Sequence, residues 1–329
     1  MDPQAIPTPA EFEQAFLPWP VEDQPFDWDG QPMARFGLRM SFFFRRLGEP
    51  DTRQTLLRLL EQYLQTAGNR IRIYTFSGNK RPRTVPAGQA LDLAPLRAQL
   101  TKQDFHWDVS GSEANIADHW SMCCRSGLIN YTDFELGYLL VHLPFTALEG
   151  APPGSFRTLF RTWCAALAVE HAYAGMGFVL PVAVGSLDSA LWRIGQEAMR
   201  FVGLDVEDPS FTSIKCEEGI RCVNWLTAVS HRLLDRVGGS QSVAAAAGPN
   251  IVVHDYGYGS IFQAGALPQI GDATRNLIPA DYVTIGRALK PLRANYTTSI
   301  FRAPPGYEAP PGENPNYHFS QRWLARFDG

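Results

Sequence analysis

Cysteine is scarce: five in 329 residues, irregularly spaced, too few for a disulfide framework, so reduced thiols are the default. No apolar run approaches about 18 residues, which excludes a membrane-spanning helix read from sequence. The opening stretch, MDPQAIPTPAEFEQAF, has acidic residues and no basic region, so a signal peptide is not expected and the chain is placed in the cytoplasm. Catalytic signatures are missing as well. There is no Gly-x-Ser-x-Gly elbow, His-Glu-x-x-His helix, phosphate-cradling loop or paired Cys-x-x-Cys. GMGFVL at 175–180 lacks the third glycine of a dinucleotide fingerprint and leads into a strand where that motif needs a helix.

What is present is the composition of a folded protein. Hydrophobic residues make up 45%, aromatics 12% and charged residues 19%, enough to bury about three quarters of the unfolded surface. The net charge of −4 is unevenly spread. Residues 1–34 carry seven acidic side chains and no Lys or Arg, whereas 35–83 carry eleven basic and three acidic ones. An acidic, Pro- and aromatic-rich arm over 1–32 is therefore expected to lie against the basic block that follows.

Along the chain, 33–47 reads as a strand and 51–68 as an amphipathic helix with an Asp or Thr cap and a terminal Gly. IRIYTF returns as a strand, and a short helix follows near 92–103. Residues 118–125 and 134–143 form a hairpin-like pair of strands. A long helix is predicted over 153–172, with Phe156, Phe160, Trp163 and Leu167 as its buried stripe. A strand at 177–184, a helix at 187–203, a loop through 204–220, strands within 250–268 and a helix at 280–289 complete the pattern. The irregular alternation predicts an α+β fold, mainly antiparallel sheet packed with helices. One domain spans 33–302, admitting two similar lobes with a boundary near 183–186, and a Pro-rich tail over 303–329 lies on the surface.

Candidate chemistry is thin. In DHWSMCCRSG (118–127), Cys123 and Cys124 diverge if they lie on a strand, so with His119 they lack a converging fourth metal ligand and serve as buried strand residues. Cys164 and His171, seven apart on one helix, would sit about 10 Å apart, too far for a nucleophile and its base. The segment 254–263, HDYGYGSIFQ, sets Asp255, Tyr256 and Tyr258 among glycines, and reads either as a bulged strand in which Gly257 and Gly259 relieve crowding or as a loop suited to recognition. The acidic group Asp205, Glu207, Asp208, Glu217 and Glu218, opposed locally only by Lys215, reads as a solvated loop or a partner-facing patch. Direct nucleic-acid binding would need a basic face, and the arginines of 35–83 suit the outer side of a strand instead.

Several stretches together resemble a known family: RFVGLDVEDP (200–209), GIRCVNWLTAVS (219–230), IFQAGALPQIGDATRN (261–276) and IPADYVTIGRALKPLR (278–293), with looser agreement at 36–44 and 163–178. They resemble the type VI immunity family over about residues 33–295. The resemblance implies an immunity protein that binds a cognate toxic effector, in some cases a nuclease, in the producing cell, with no catalysis, cofactor, metal or membrane contact. Its matched residues have structural explanations: Trp225 and Leu226 suit a core anchor, and Pro268, Gly271 and Asp272 suit a turn. Two other classes remain: a hydrolase or transferase drawing on His171, Cys164, His254 or Asp255, and a non-inhibitory accessory of a secretion apparatus.

Overall fold

The alternation in RFGLRMSFFF becomes the long strand β3, Arg35–Phe44, the middle of one ten-stranded sheet. The computed structural model describes residues 27–28, 31–32, 34–102, 105–112, 116–126, 136–148, 156–181, 191–206 and 209–328. Residues 1–26, the 127–135 connection, the 183–186 boundary and Glu207 and Asp208 lie outside the described residues. Two short strands, β1 (Asp27–Trp28) and β2 (Gln31–Pro32), pair with each other.

Helix α1 (Pro50–Ala67) follows, with Pro at its start, where a missing N–H costs nothing, and Gly68 at φ 59° beyond its end. Its cap is Glu49; Asp51, read as the cap, sits inside the first turn, where its charge suits the helix dipole. Then come β4 (Ile73–Phe76), β5 (Arg83–Thr84), α2 (Ala94–Arg97), β6 (Trp107–Ser110), β7 (Ser121–Ser126) and β8 (Gly137–Leu143). After α3 (Phe156–Leu167) and β9 (His171–Val179) lie α4 (Leu191–Arg200), α5 (Pro209–Lys215), β10 (Leu226–Ser230), α6 (His231–Leu234) and α7 (Gly239–Ala247). The hairpin β11 (Ile251–Asp255) and β12 (Gly259–Ala264), α8 (Ala280–Leu289) and α9 (Pro315–Leu324) finish the chain.

The sheet order is β11-β12-β10-β9-β3-β8-β7-β6-β4-β5, every neighbouring pair antiparallel. This is the α+β architecture expected. One face, with Leu38, Met40 and Phe42, packs under α1 and α3, where Phe42 meets Phe160 and Trp163 at ring distances of 5.4 and 6.0 Å. The opposite face is covered too. There Phe43 stacks on His171 at 4.6 Å, and Tyr173 accepts the Arg221 N–H at 2.8 Å. A second core joins α4 and α9 through Ile194, Phe301, Phe319 and Trp323.

Four expectations are corrected. The helix predicted to 172 ends at Leu167, because Ala168 turns at φ 45° and the chain enters β9, which starts six residues before the strand expected there. Arg39, read as the outer side of a strand, is 2% exposed, because the 201–206 segment covers that face and Asp205 bridges to Gly177. The acidic loop is neither solvated throughout nor unopposed, since Asp205 is buried against Arg221 and Glu218 is met by Arg232. The tail beyond 302 is not all surface: Trp323 is fully buried and Arg326 donates to the Val202 carbonyl at 2.7 Å.

Candidate partner-binding site at one end of the sheet

Four strand ends converge on Glu170. Its backbone is pinned between two strands, its N–H donating to the Phe43 carbonyl and its carbonyl accepting from Ser230, each at 2.8 Å. The side chain, 1% exposed, is filled from all sides. Oε1 accepts from Arg45 Nε at 3.0 Å and the Tyr258 hydroxyl at 3.1 Å; Oε2 accepts from the Ser230 hydroxyl at 3.0 Å and Arg232 Nε at 3.1 Å. Burial alone would push this carboxyl up, but Arg232, the Ser230 hydroxyl and Arg45 outweigh it and hold the carboxyl below its ordinary range.

The network continues outward. Arg45 and Arg232 both reach the carbonyl of Glu217, and Arg232 pairs with the Glu218 carboxylate at 2.7 Å. Arg236 donates to the Glu218 carbonyl. Exposure rises along this path, from 1% for Glu170 through 22% for Arg45 and 37% for Arg232 to 66% for Glu218. The result is a graded charged surface, rigid at its base and wet at its rim, with the 40%-exposed Tyr258 standing beside it.

The sequence-derived candidates divide here. Tyr258, Glu217, Glu218 and Asp255 reach solvent at this end of the sheet. Tyr256 is buried and donates to the Val169 carbonyl at 2.9 Å, and Asp205 pairs with Arg221 at 2.6 Å in full burial, so both hold the scaffold from beneath. Asp255 accepts the Gly257 N–H at 2.5 Å and shapes the β11–β12 turn. Trp225 lies buried against Phe156 and donates to the Gly265 carbonyl at 3.0 Å, and Leu226 opens β10 beneath the same core. Pro268 is buried, Gly271 turns at φ 65° against Pro279, and Asp272 accepts the Thr274 N–H at 2.9 Å. Sequence reasoning missed Glu170, Arg45 and Arg232, because partners 62 and 125 positions apart leave no local spacing signal.

The groups considered for catalysis are engaged in packing. The His171 Nε2 donates to the Cys216 carbonyl at 3.1 Å, and burial takes its imidazole down to about 3, so it stays neutral. Burial pushes the Cys164 thiol well up, and that of Cys123 to about 12. His254 bonds Gln263 at 3.3 Å, and His119 bonds the Phe36 carbonyl at 2.6 Å. Cys123 and Cys124 do lie on a strand, half-buried and buried respectively. Among the described residues no three His, Cys, Asp or Glu side chains converge as metal ligands, and no helix is long and apolar enough to cross a membrane.

Residues 55–327 match the model of the family TsiV, described as type VI immunity for VRR-NUC. The chain belongs to this family. The TsiV match takes in the tail through Phe327, in keeping with α9 being part of the packed structure. A solved Pseudomonas aeruginosa type VI secretion system protein shares the fold, with a TM-score of 0.76 and 23% identity over 93% of this chain and 84% of that one. No curated protein matches the sequence. Type VI immunity, the neutralising of a toxic effector, is the function of this TsiV protein.

Proposed function

We propose that this TsiV protein is a stoichiometric, non-catalytic inhibitor that binds a VRR-NUC effector in the cytoplasm of the producing cell and blocks it by covering its surface. The family match over 55–327 carries this reading. Supporting it, His171, Cys164 and His254 are each committed to burial or to internal hydrogen bonds, as a scaffold's side chains are. The contact surface is the Glu170-centred sheet end, with Tyr258, Asp255, Glu217 and Glu218 outermost and Glu207 and Asp208 in the same acidic stretch of sequence. A nuclease must carry basic residues to hold phosphates, so exposed carboxylates at the rim speed the encounter while the anchored Tyr258 supplies rigid contact area. Asp205 and Tyr256 act from below by fixing the backbone.

Co-expression with a VRR-NUC effector encoded beside the chain tests this. Growth should be restored, and restored equally by the His254→Ala and Cys164→Ala variants. Charge reversal at Glu217 and Glu218 should slow association at low salt. Rescue that depends on a single thiol or imidazole in a folded variant would contradict inhibition by occlusion.

A further inference from the structure

One edge of the sheet is the two-residue β5, which ends the sheet with Arg83. The other edge, β11, is different. Natural edges are blunted by Lys, Pro, bulges or covering elements. β11 reads IVVHD and keeps a regular register with β12, so apart from the charge of Asp255 at its end its sequence supplies no such device.

The direction of its backbone groups follows from the ladder. Tyr256 N–H donates to the Gly259 carbonyl, and Ala264 N–H points the other way, to the Trp225 carbonyl. Bonded and non-bonded pairs alternate in an antiparallel ladder. Val252 and His254 therefore face β12, whereas Val253 and Asp255 turn their N–H and C=O outward, two residues apart, as an added strand requires. The Val253 side chain is 36% exposed and Asp255 is exposed.

Charge says what fits there. His254 lies on the sheet face opposite Val253, and Arg157 and Arg161, one turn apart on α3, bring positive charge to it. A second copy of β11 paired about Val253 would bring two sets of Arg157 and Arg161 together, which like-charge repulsion opposes. An incoming segment that alternates acidic and apolar residues meets the arginines with one side and Val253 with the other. The β11–β12 turn also carries Tyr258, so this edge runs into the sheet-end cluster.

We propose that β11 receives an extended segment of the effector, alternately acidic and apolar, as an eleventh strand of the sheet, the acids facing Arg157 and Arg161. This rests on the reading of the chain as an effector inhibitor and names the mode of docking.

The probe is a VRR-NUC effector whose toxicity the unaltered full-length chain suppresses. If the unaltered chain suppresses none, the inhibitor reading fails and this proposal with it. Val253→Pro removes an outward donor while leaving the bonds to β12 in place; Val253→Lys adds an edge charge; Arg157→Glu with Arg161→Glu reverses the flank. Each should weaken binding at least tenfold, and amide exchange at Val253 and Asp255 should slow at least tenfold in the complex. Where Val253→Pro does not fold, Val253→Lys and the amide exchange decide. Binding within twofold of the unaltered chain in the folded variants, with unchanged amide exchange, overturns the proposal and leaves the inhibitor reading standing. A dimer of the chain alone that Val253→Lys dissolves, or edge amides already protected and freed by deleting residues 1–26, names another occupant and overturns it as well.

Discussion

A carboxylate with 1% of its side chain exposed keeps its charge only where that charge is met, and Glu170 is met by two guanidiniums, a hydroxyl and a phenol. Hydrogen bonds to charged groups contribute about 1.5–3 kcal/mol, so Glu170→Gln, which removes the charge and turns one acceptor oxygen into a donor, should lower stability by about 2 kcal/mol in urea denaturation. The acid limb of the stability curve follows from two signs. Glu170 is held below its ordinary range, so its contribution is present at neutral pH and is lost as pH falls through its folded value. His171 is held neutral down to about 3, so the unfolded chain takes up a proton below about 6.5 that the native chain refuses. Stability should therefore decline from about pH 6.5 downward, by about 1.4 kcal/mol per pH unit for this imidazole. Urea titrations of the unaltered chain and of His171→Asn across pH 4–7 check it, the variant showing the shallower slope. None of this was legible in sequence. Glu170 and His171 adjoin in sequence, which says nothing of their partners, and the arginines that hold Glu170 charged come from just past β3 and from α6.

At the scale of elements, stretches with one dominant period were readable: α1, the buried stripe Phe156, Phe160, Trp163 and Leu167, the β7–β8 pair and the α8 helix at 280–289. The boundary after α3 was not, because an apolar run passes from helical to alternating spacing without a break, and the turn rests on Ala168 in a left-handed conformation rather than on a glycine. The glycines of GMGF have a packing explanation that only tertiary structure reveals. A Cβ on Gly175 would lie 2.3 Å from Asn224 Oδ1, and one on Gly177 would lie 2.8 Å from the Asp205 carbonyl oxygen. Gly175→Ala should thus cost about 1–3 kcal/mol through overpacking, read as a lower midpoint in thermal denaturation. Helix α9 was hidden inside a Pro-rich tail, although Asn314 caps it by accepting from the Asn316 and Tyr317 N–H groups and Pro315 begins it. Trp323 packs edge-on against Phe301 at 5.3 Å and under Arg326 at 3.7 Å. Trp323→Ala should cost about 3–5 kcal/mol and loosen the second core before the first, seen as faster amide exchange in α4 than in β3.

For the whole molecule, composition and alternation sufficed for an α+β antiparallel fold, and the assembled motifs of the second half for the immunity family. The sheet-end cluster was legible only in fragments, since it gathers Arg45 just after β3, Glu170 just before β9, Ser230 at the end of β10 and Tyr258 in the β11–β12 turn, which only the sheet order brings together. Inhibition by fit, the mode proposed for this protein, consumes the inhibitor one molecule at a time. The most direct measurement is a titration of nuclease activity for a purified VRR-NUC effector held far above the dissociation constant. Activity is expected to fall linearly and reach zero at one equivalent of this protein, unchanged on prolonged incubation. Complete loss at a small fraction of an equivalent, deepening with time, would mean turnover and would contradict the account.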